Sequence, residues 1–411
     1  MRGRLWGLAL ALAGLALAGS AAAPAAAGKS GPLRAGAAAV KITPALSRPV
    51  YIAGYENNRL AESVHDDLWA RAVVLDDGKT RFATVVCDLV GLSNLRVRQI
   101  RGQIRSVPPE NVLITTTHVH SGPDTMGLWG KDAFTSGMDP LYMERLTDRI
   151  VAAVDTAARS LQPVTVTAGV VRVPDGLVYN SRESVQDKEL TALQLKNADG
   201  RTVATVVHYG GHPEVNKSKA LTSDYVHYVR EAVEAEHGGV ALYLNGALGG
   251  MVTPKIKEHT LPEMERVGRG VGAAALRAIA EAKPIEIEAI ELRRRSVSVP
   301  LENSGFKLML GAKILEGELR DGALETEVWR VDLGPVTWIT IPGEILPRPA
   351  LALKKRMPGR YPMVVSMAND ELGYILDPDD YGKDRYKYER SMSVGKETWP
   401  RLEAAARELL R

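Results

Sequence analysis

Thr115-Thr116-Thr117-His118-Val119-His120-Ser121-Gly122-Pro123 is the stretch on which the reading of this chain turns. It closes a run, Asn111 to Thr117, rich in the β-branched residues that suit the pleated surface of a sheet. A Gly-Pro pair then breaks the strand. Side chains of a strand alternate between its two faces, so His118 and His120 are expected to emerge together at its end. Two imidazoles on one face at a strand-to-loop junction suit a metal, or one metal ligand beside an acid/base group. Such pairs also occur with no metal, so partners must come from elsewhere in the chain.

Two further strand ends offer them. His208-Tyr209-Gly210-Gly211-His212-Pro213 follows an apolar run and turns on its glycines, and either histidine is a candidate ligand. Trp338-Ile339-Thr340-Ile341-Pro342-Gly343-Glu344 sets a lone carboxylate just past a strand, in a Pro-Gly turn. His118, His212 and Glu344 together supply two nitrogens and one oxygen. Such a set holds zinc with a position left for water or substrate.

The flanking sequence predicts mixed α/β architecture, of the α+β kind, with more than one β-sheet covered by helices in a single catalytic domain. Trp69 to Leu75 and Arg81 to Val86 read as strands joined at Asp76-Asp77-Gly78, a hairpin signal. Ser93 is expected to cap a helix reaching about Ser106, and Ser223 one reaching His237. Asp139-Pro140 opens another, with Leu146, Ile150, Val151 and Val154 on its apolar face. Further strands are expected at 164–171, 190–195, 201–207 and 240–244. Helices are expected near 262–282 and 398–410, and β-rich stretches at 285–299 and 325–341.

The chain has 411 residues, of which 45% are apolar and 25% charged, ordinary for a globular protein with a sizeable core. Lys and Arg total 52 against 49 for Asp and Glu, so no electrostatic footprint for nucleic acid is present. Cys87 is the single cysteine, which excludes an intrachain disulfide, and its apolar surroundings predict a core position.

Arg2 and Arg4 precede an apolar run from Leu5 to Ala18 and then A-x-A patterns, the order of a secretory signal peptide over residues 1–27. A flexible leader is expected over 28–35 and the catalytic domain over 36–411. This places the mature protein outside the cytoplasm, secreted or periplasmic.

The ordered motifs resemble the catalytic domain of the neutral/alkaline non-lysosomal ceramidase family. Ala35-Gly36 with Lys41-Ile42-Thr43-Pro44 is similar to that domain's first strand. His65-Asp66, Ala70-Arg71-Ala72 and Val86-Cys87-Asp88 match the segments that follow. Thr117-His118-Val119-His120-Ser121-Gly122-Pro123 resembles its most specific motif, and Pro342-Gly343-Glu344 its P-G-E. Leu372-Gly373-Tyr374 with Tyr381 resembles its G-Y…Y segment. The resemblance implies one zinc ion per chain, held at His118, His212, Glu344 and Tyr374, with His120 assisting the chemistry. It implies a substrate-contacting arginine at Arg182, displaced by one position from the family's N-R. It also implies a small-molecule or lipid N-acyl substrate, and is compatible with peripheral contact at a membrane surface.

Two departures stand out. The family's G-x-x-S-P-N turn reads Gly250-Met251-Val252-Thr253-Pro254-Lys255 here, so Thr253 takes the serine's place. The chain is also shorter than the family's full-length members. The expected mechanism is attack by a zinc-activated water, with Tyr374 ligating the metal or donating to the oxyanion and Thr253 positioning substrate. Direct attack by Thr253 is the alternative chemistry. Hydrolysis of another acyl, ester or sugar-amide substrate, or a silent binding protein on the same fold, are the alternative functions.

Overall fold

The computed structural model describes residues 31–411. The export signal expected over residues 1–27 lies outside them. The leader expected to reach residue 35 ends sooner. Strand Arg34–Lys41 already pairs Arg34 with Asp76 and Ala35 with Leu75. Leu33 and Ala35 are buried in the core, so small and apolar residues that read as linker form the strand's beginning.

Two sheets stack face to face. The larger runs Val240–Asn245, Thr202–Tyr209, Glu189–Asn197, Gln162–Arg172, Arg34–Lys41, Trp69–Asp76, Arg81–Cys87, Val112–Thr116, with Lys283–Ile285 beside Gln162–Arg172. The smaller runs Ile290–Pro300, Ala323–Leu333, Val336–Thr340, Tyr361–Val365, with Leu319–Arg320 paired to Ala323–Leu333.

Period-two alternation sorts the side chains into layers. Val73, Leu75, Phe82, Val86 and Leu113 point between the sheets, where they meet Trp329, Val331, Trp338 and Met363. Ala70, Ala72, Val74, Ala83 and Val85 point the other way, onto helices Asn94–Gln103 and Pro140–Arg159. Helices Tyr225–His237 and Leu261–Ala280 cover the other half of that face. Helices Pro347–Lys354 and Thr398–Leu409 cover the outer face of the smaller sheet. The result is a helix–sheet–sheet–helix stack, the mixed α/β class expected. Strands buried on both faces read as continuous apolar runs. Each fully buried branched side chain contributes about 1.5–3 kcal/mol, so the core needs no disulfide. Cys87 is buried within it, and burial pushes its thiol well above the usual range.

Local signals hold with one shift. Ser93 accepts from the Arg96 N–H, and Asp139 from that of Leu141. The third cap is Asp224 rather than Ser223. Ser223 Oγ is engaged elsewhere, 2.7 Å from Asp66 Oδ1 and 2.8 Å from Arg230 Nη2. Helix Ser304–Gly311, which buries no residue of its own fully, escaped the sequence reading because it has no clear apolar stripe.

Candidate metal centre and substrate cavity

His118 is not on the strand that delivers it. Strand Val112–Thr116 ends two residues earlier, and His118 adopts a left-handed conformation with φ +63°. The two imidazoles still converge, with ring centroids 4.9 Å apart, but a turn does the work assigned to strand alternation. Gly54, at φ +105°, makes room for His120, because a Cβ there would lie 2.3 Å from the His120 Cβ.

The orientation of two rings follows from their back sides. His118 Nδ1 lies 2.7 Å from the Val90 carbonyl, and His212 Nδ1 lies 3.0 Å from that of Val252. A carbonyl only accepts, so each Nδ1 carries a proton and Nε2 is the nitrogen that faces the site. Each Nε2 turns toward Glu344. Its Oε2 is 2.9 Å from His212 Nε2 and 3.5 Å from His118 Nε2. His118, His120 and His212 each offer a nitrogen within 4.8 Å of the others. The structure therefore gathers a third histidine where the sequence assigned two.

Glu344 and Tyr374 arrive together. Glu344–Ile345 pairs in parallel with Tyr374–Ile375, with Glu344 opposite Tyr374. Tyr374 Oη is 3.5 Å from His212 Nε2. Asn245, at the end of its strand, ties the histidine segments to each other. Its Nδ2 donates to the carbonyls of Thr117 (2.9 Å) and Gly211 (3.1 Å), and its Oδ1 accepts from the Gly211 N–H. Sequence reasoning passed over Asn245, although a polar residue closing the apolar run Val240–Leu244 was a usable signal.

Burial and mutual charge set the protonation states. Burial would raise the Glu344 carboxyl, but charge and hydrogen bonds from His118 and His212 outweigh it and hold the group well below the usual range. Burial would lower His212, yet its hydrogen bond to Glu344 and the charges of Glu214 and Glu344 raise it to about 9. Burial, then the charges of His118 and His212, push His120 well below the usual imidazole value. Burial and the Glu344 charge keep Tyr374 a phenol.

This donor set fits a divalent metal. The Nε2 atoms of His118 and His212 and a carboxylate oxygen converge in a buried site. The buried His120 Nδ1 makes no hydrogen bond among the described residues and faces Glu214 Oε2 at 3.5 Å, so this nitrogen is turned to a carboxylate rather than to the ion. Nitrogen donors with one carboxylate suit zinc.

The cluster opens onto a cavity of about 110 Å³. His118, His120 and Glu344 line it, with the apolar Phe306, Leu310 and Leu315 and the charged Arg98, Glu316 and Arg320. Other expected residues stand elsewhere. His208 Nε2 accepts no ligand role, being 2.9 Å from the Val364 carbonyl. Thr253 sits opposite Tyr179 in a short antiparallel ribbon and does not line this cavity. Arg182 does not line it either. Its Nε is paired at 2.6 Å with the buried Glu389.

Residues 34–247 match the family model of the neutral/alkaline non-lysosomal ceramidase, N-terminal domain. The chain belongs to this ceramidase family. His118, His120 and His212 fall within the matched residues, and Glu344 and Tyr374 beyond them. Among solved structures, the chain resembles a neutral ceramidase from Pseudomonas aeruginosa at 17% identity and TM-score 0.75, over 92% of this chain and 73% of that one. It also resembles a ceramidase complexed with C2, at 16% identity and TM-score 0.77, over 92% and 75%. At such identities the likeness speaks for the ceramidase fold over nearly the whole described chain.

Proposed function

We propose that this ceramidase-family chain is an exported, zinc-dependent amidohydrolase that cleaves the amide bond of ceramide-like N-acyl substrates. The observation that carries this reading is the buried His118–His212–Glu344 cluster beside a cavity that His118 and Glu344 line together with Phe306, Leu310 and Leu315.

Nε2 of His118 and of His212, with Glu344 Oε2, would hold the ion, and Tyr374 completes the surroundings. When bound, zinc supplies Lewis acidity and draws the pKa of water toward about 7. His120 is kept neutral by burial and so can accept a proton. The carboxylate of Glu214, 3.5 Å from His120 Nδ1, favours the proton on that nitrogen and stabilises the imidazolium once Nε2 is protonated. His120 then returns the proton to the leaving amine. Tyr374 keeps its proton and donates from Oη to charge developing on the substrate carbonyl oxygen. The apolar lining residues Phe306, Leu310 and Leu315 offer contact to an acyl chain. Thr253 does not line this cavity, and no step is assigned to it.

Incubating purified protein with short- and long-chain N-acyl amides, with and without a chelator, tests the reading. Chelator-sensitive release of free amine supports it. Release of amine unaffected by complete metal removal, or no release from any amide, contradicts it.

A further inference from the structure

The segment 54–59 wraps His120 on several sides. Gly54 leaves room for its Cβ. Tyr55 sets its ring edge-on against the imidazole, with centroids 5.5 Å apart and an interplanar angle of 88°. Arg59 Nη2 donates to the His120 carbonyl at 2.8 Å and to Ser121 Oγ at 3.2 Å. The segment is itself fastened. The Ala53 N–H donates to the Gly122 carbonyl (3.0 Å), and the Ile52 N–H to the Arg59 carbonyl (2.8 Å). Trp129 Nε1 donates to the Tyr55 carbonyl at 3.1 Å.

Tyr55 is held at its far end as well. Its hydroxyl donates to the backbone carbonyl of Glu214. The preceding carbonyl, that of Pro213, accepts from the His120 N–H at 3.0 Å. The Glu214 side chain sets Oε2 3.5 Å from His120 Nδ1. One stretch of backbone therefore carries an anchor for His120, an anchor for Tyr55 and the carboxylate that faces the imidazole. Burial and the Glu214 charge push the Tyr55 phenol well above its usual range, so it keeps its proton and stays a donor. The Arg59 guanidinium and the Lys217 ammonium lie 5.0 and 5.2 Å from the ring centre, and cations are attracted to an aromatic face. His259 meets the ring edge-on at 6.1 Å. Gly54 lines the cavity and Tyr55 does not. The contacts of its ring and hydroxyl are thus with His120, His259, Arg59, Lys217 and Glu214, rather than with His118, His212 or Glu344.

We propose that Tyr55 is a positioning residue for His120: its ring fixes the plane of the imidazole, and its hydroxyl fixes the backbone that aims Glu214 at Nδ1. The inference rests on the amidohydrolase reading above, in which His120 moves the proton. Proton transfer needs its two partners within hydrogen-bond reach, and a misplacement of about 1 Å can cost about 10²-fold in rate. Tyr55 lies off the cavity and away from the metal ligands, so its loss is felt in the chemical step rather than in substrate or zinc binding.

The test compares wild type, Tyr55→Phe and Tyr55→Leu on one N-acyl amide, with zinc content and unfolding temperature measured beside the kinetics. Tyr55→Phe, which keeps the ring and loses the tether to Glu214, should lower kcat by about threefold to tenfold. Tyr55→Leu, which loses both, should lower it about 10²-fold. KM should stay within about twofold of wild type in both variants, and zinc content should be unchanged. An unchanged kcat in Tyr55→Leu, a loss confined to KM, or a loss of zinc in step with kcat would overturn the assignment. Should Tyr55→Leu fail to fold, Tyr55→Phe decides alone, and a kcat equal to that of wild type rejects the inference. If wild type cleaves no amide, the amidohydrolase reading falls. Tyr55 is then judged by NMR of protein isotopically labelled in its histidine rings, with the His120 signals assigned from His120→Ala. Shifted or doubled His120 signals in the two variants, beside unmoved His118 and His212 signals, support the positioning role. His120 signals identical to wild type, or equal shifts of all three rings, reject it.

Discussion

Glu344 and Tyr374 face each other across a two-residue parallel pairing, so backbone hydrogen bonds rather than side-chain contacts set the spacing of carboxylate and phenol. The phenol stands 3.5 Å from His212 Nε2 and keeps its proton. Tyr374→Phe preserves the ring's packing and removes only the donor. It should leave zinc content and unfolding temperature near wild type and lower kcat about 10²- to 10³-fold on a cleaved amide. Loss of zinc along with the hydroxyl would instead make Tyr374 a ligand that the site cannot do without.

Asn245 is expected to act as a positioning residue. Its amide joins Thr117 and Gly211, each next to a candidate ligand. Asn245→Ala leaves two buried backbone groups unpaired, the Thr117 carbonyl and the Gly211 N–H, at about 1–3 kcal/mol each before relaxation, while the Gly211 carbonyl keeps its bond from Tyr225 Oη. We expect a stability loss near 3 kcal/mol in denaturant unfolding, and zinc affinity weaker by about 10- to 100-fold by chelator competition. Unchanged zinc affinity in a folded variant would show that the two segments hold their places without the amide.

Much of this site was legible because chemistry concentrated at strand ends, where glycine, proline and histidine broke apolar runs. The hairpin after Trp69–Asp76 was readable for the same reason. Its turn is closed by Asp77, whose Oδ1 accepts from the N–H groups of Lys79 and Thr80. The positions of Thr253 and Arg182 were not readable, because a motif reports order along the chain and not which way a short ribbon turns. Asp370 and Glu371 were missed for another reason. Two acids in a polar loop read as solvated, and only the tertiary packing of Asn94, Gly91 and Gly373 around them buries Asp370 and half-buries Glu371.

Asp370 makes stability depend on pH. Burial, with the charge of Glu327, raises its carboxyl to about 7, against about 3.9 in an unfolded chain. A folded-state pKa above the unfolded value means that the contribution is complete below pH 4 and is lost as pH rises through about 7. Asp370→Asn retains an oxygen for the Asn94 and Glu371 N–H groups but cannot ionise. Relative to wild type, its unfolding temperature should therefore rise steadily between pH 5 and pH 8. A difference that stays constant across this range would contradict the assignment.

We expect His118 to hold the metal and His120 to move the proton. His120→Ala should keep zinc and lose about 10²- to 10⁴-fold in rate, whereas His118→Ala should lose both. Equal zinc loss in the two variants would make the centre a three-histidine site, a grouping within reach because their nitrogens lie within 4.8 Å of one another.

The most direct measurement is zinc reconstitution of the chelator-stripped protein, followed by the release of amine from an N-acyl amide. Activity should be absent in the stripped protein and rise in proportion to added zinc. It should saturate at one equivalent per chain, and stay near zero in Glu344→Ala under the same titration. Full amide hydrolysis by protein shown to be free of metal, or reconstitution of Glu344→Ala at one equivalent to wild-type activity, would contradict the claim that His118, His212 and Glu344 hold the metal on which hydrolysis depends.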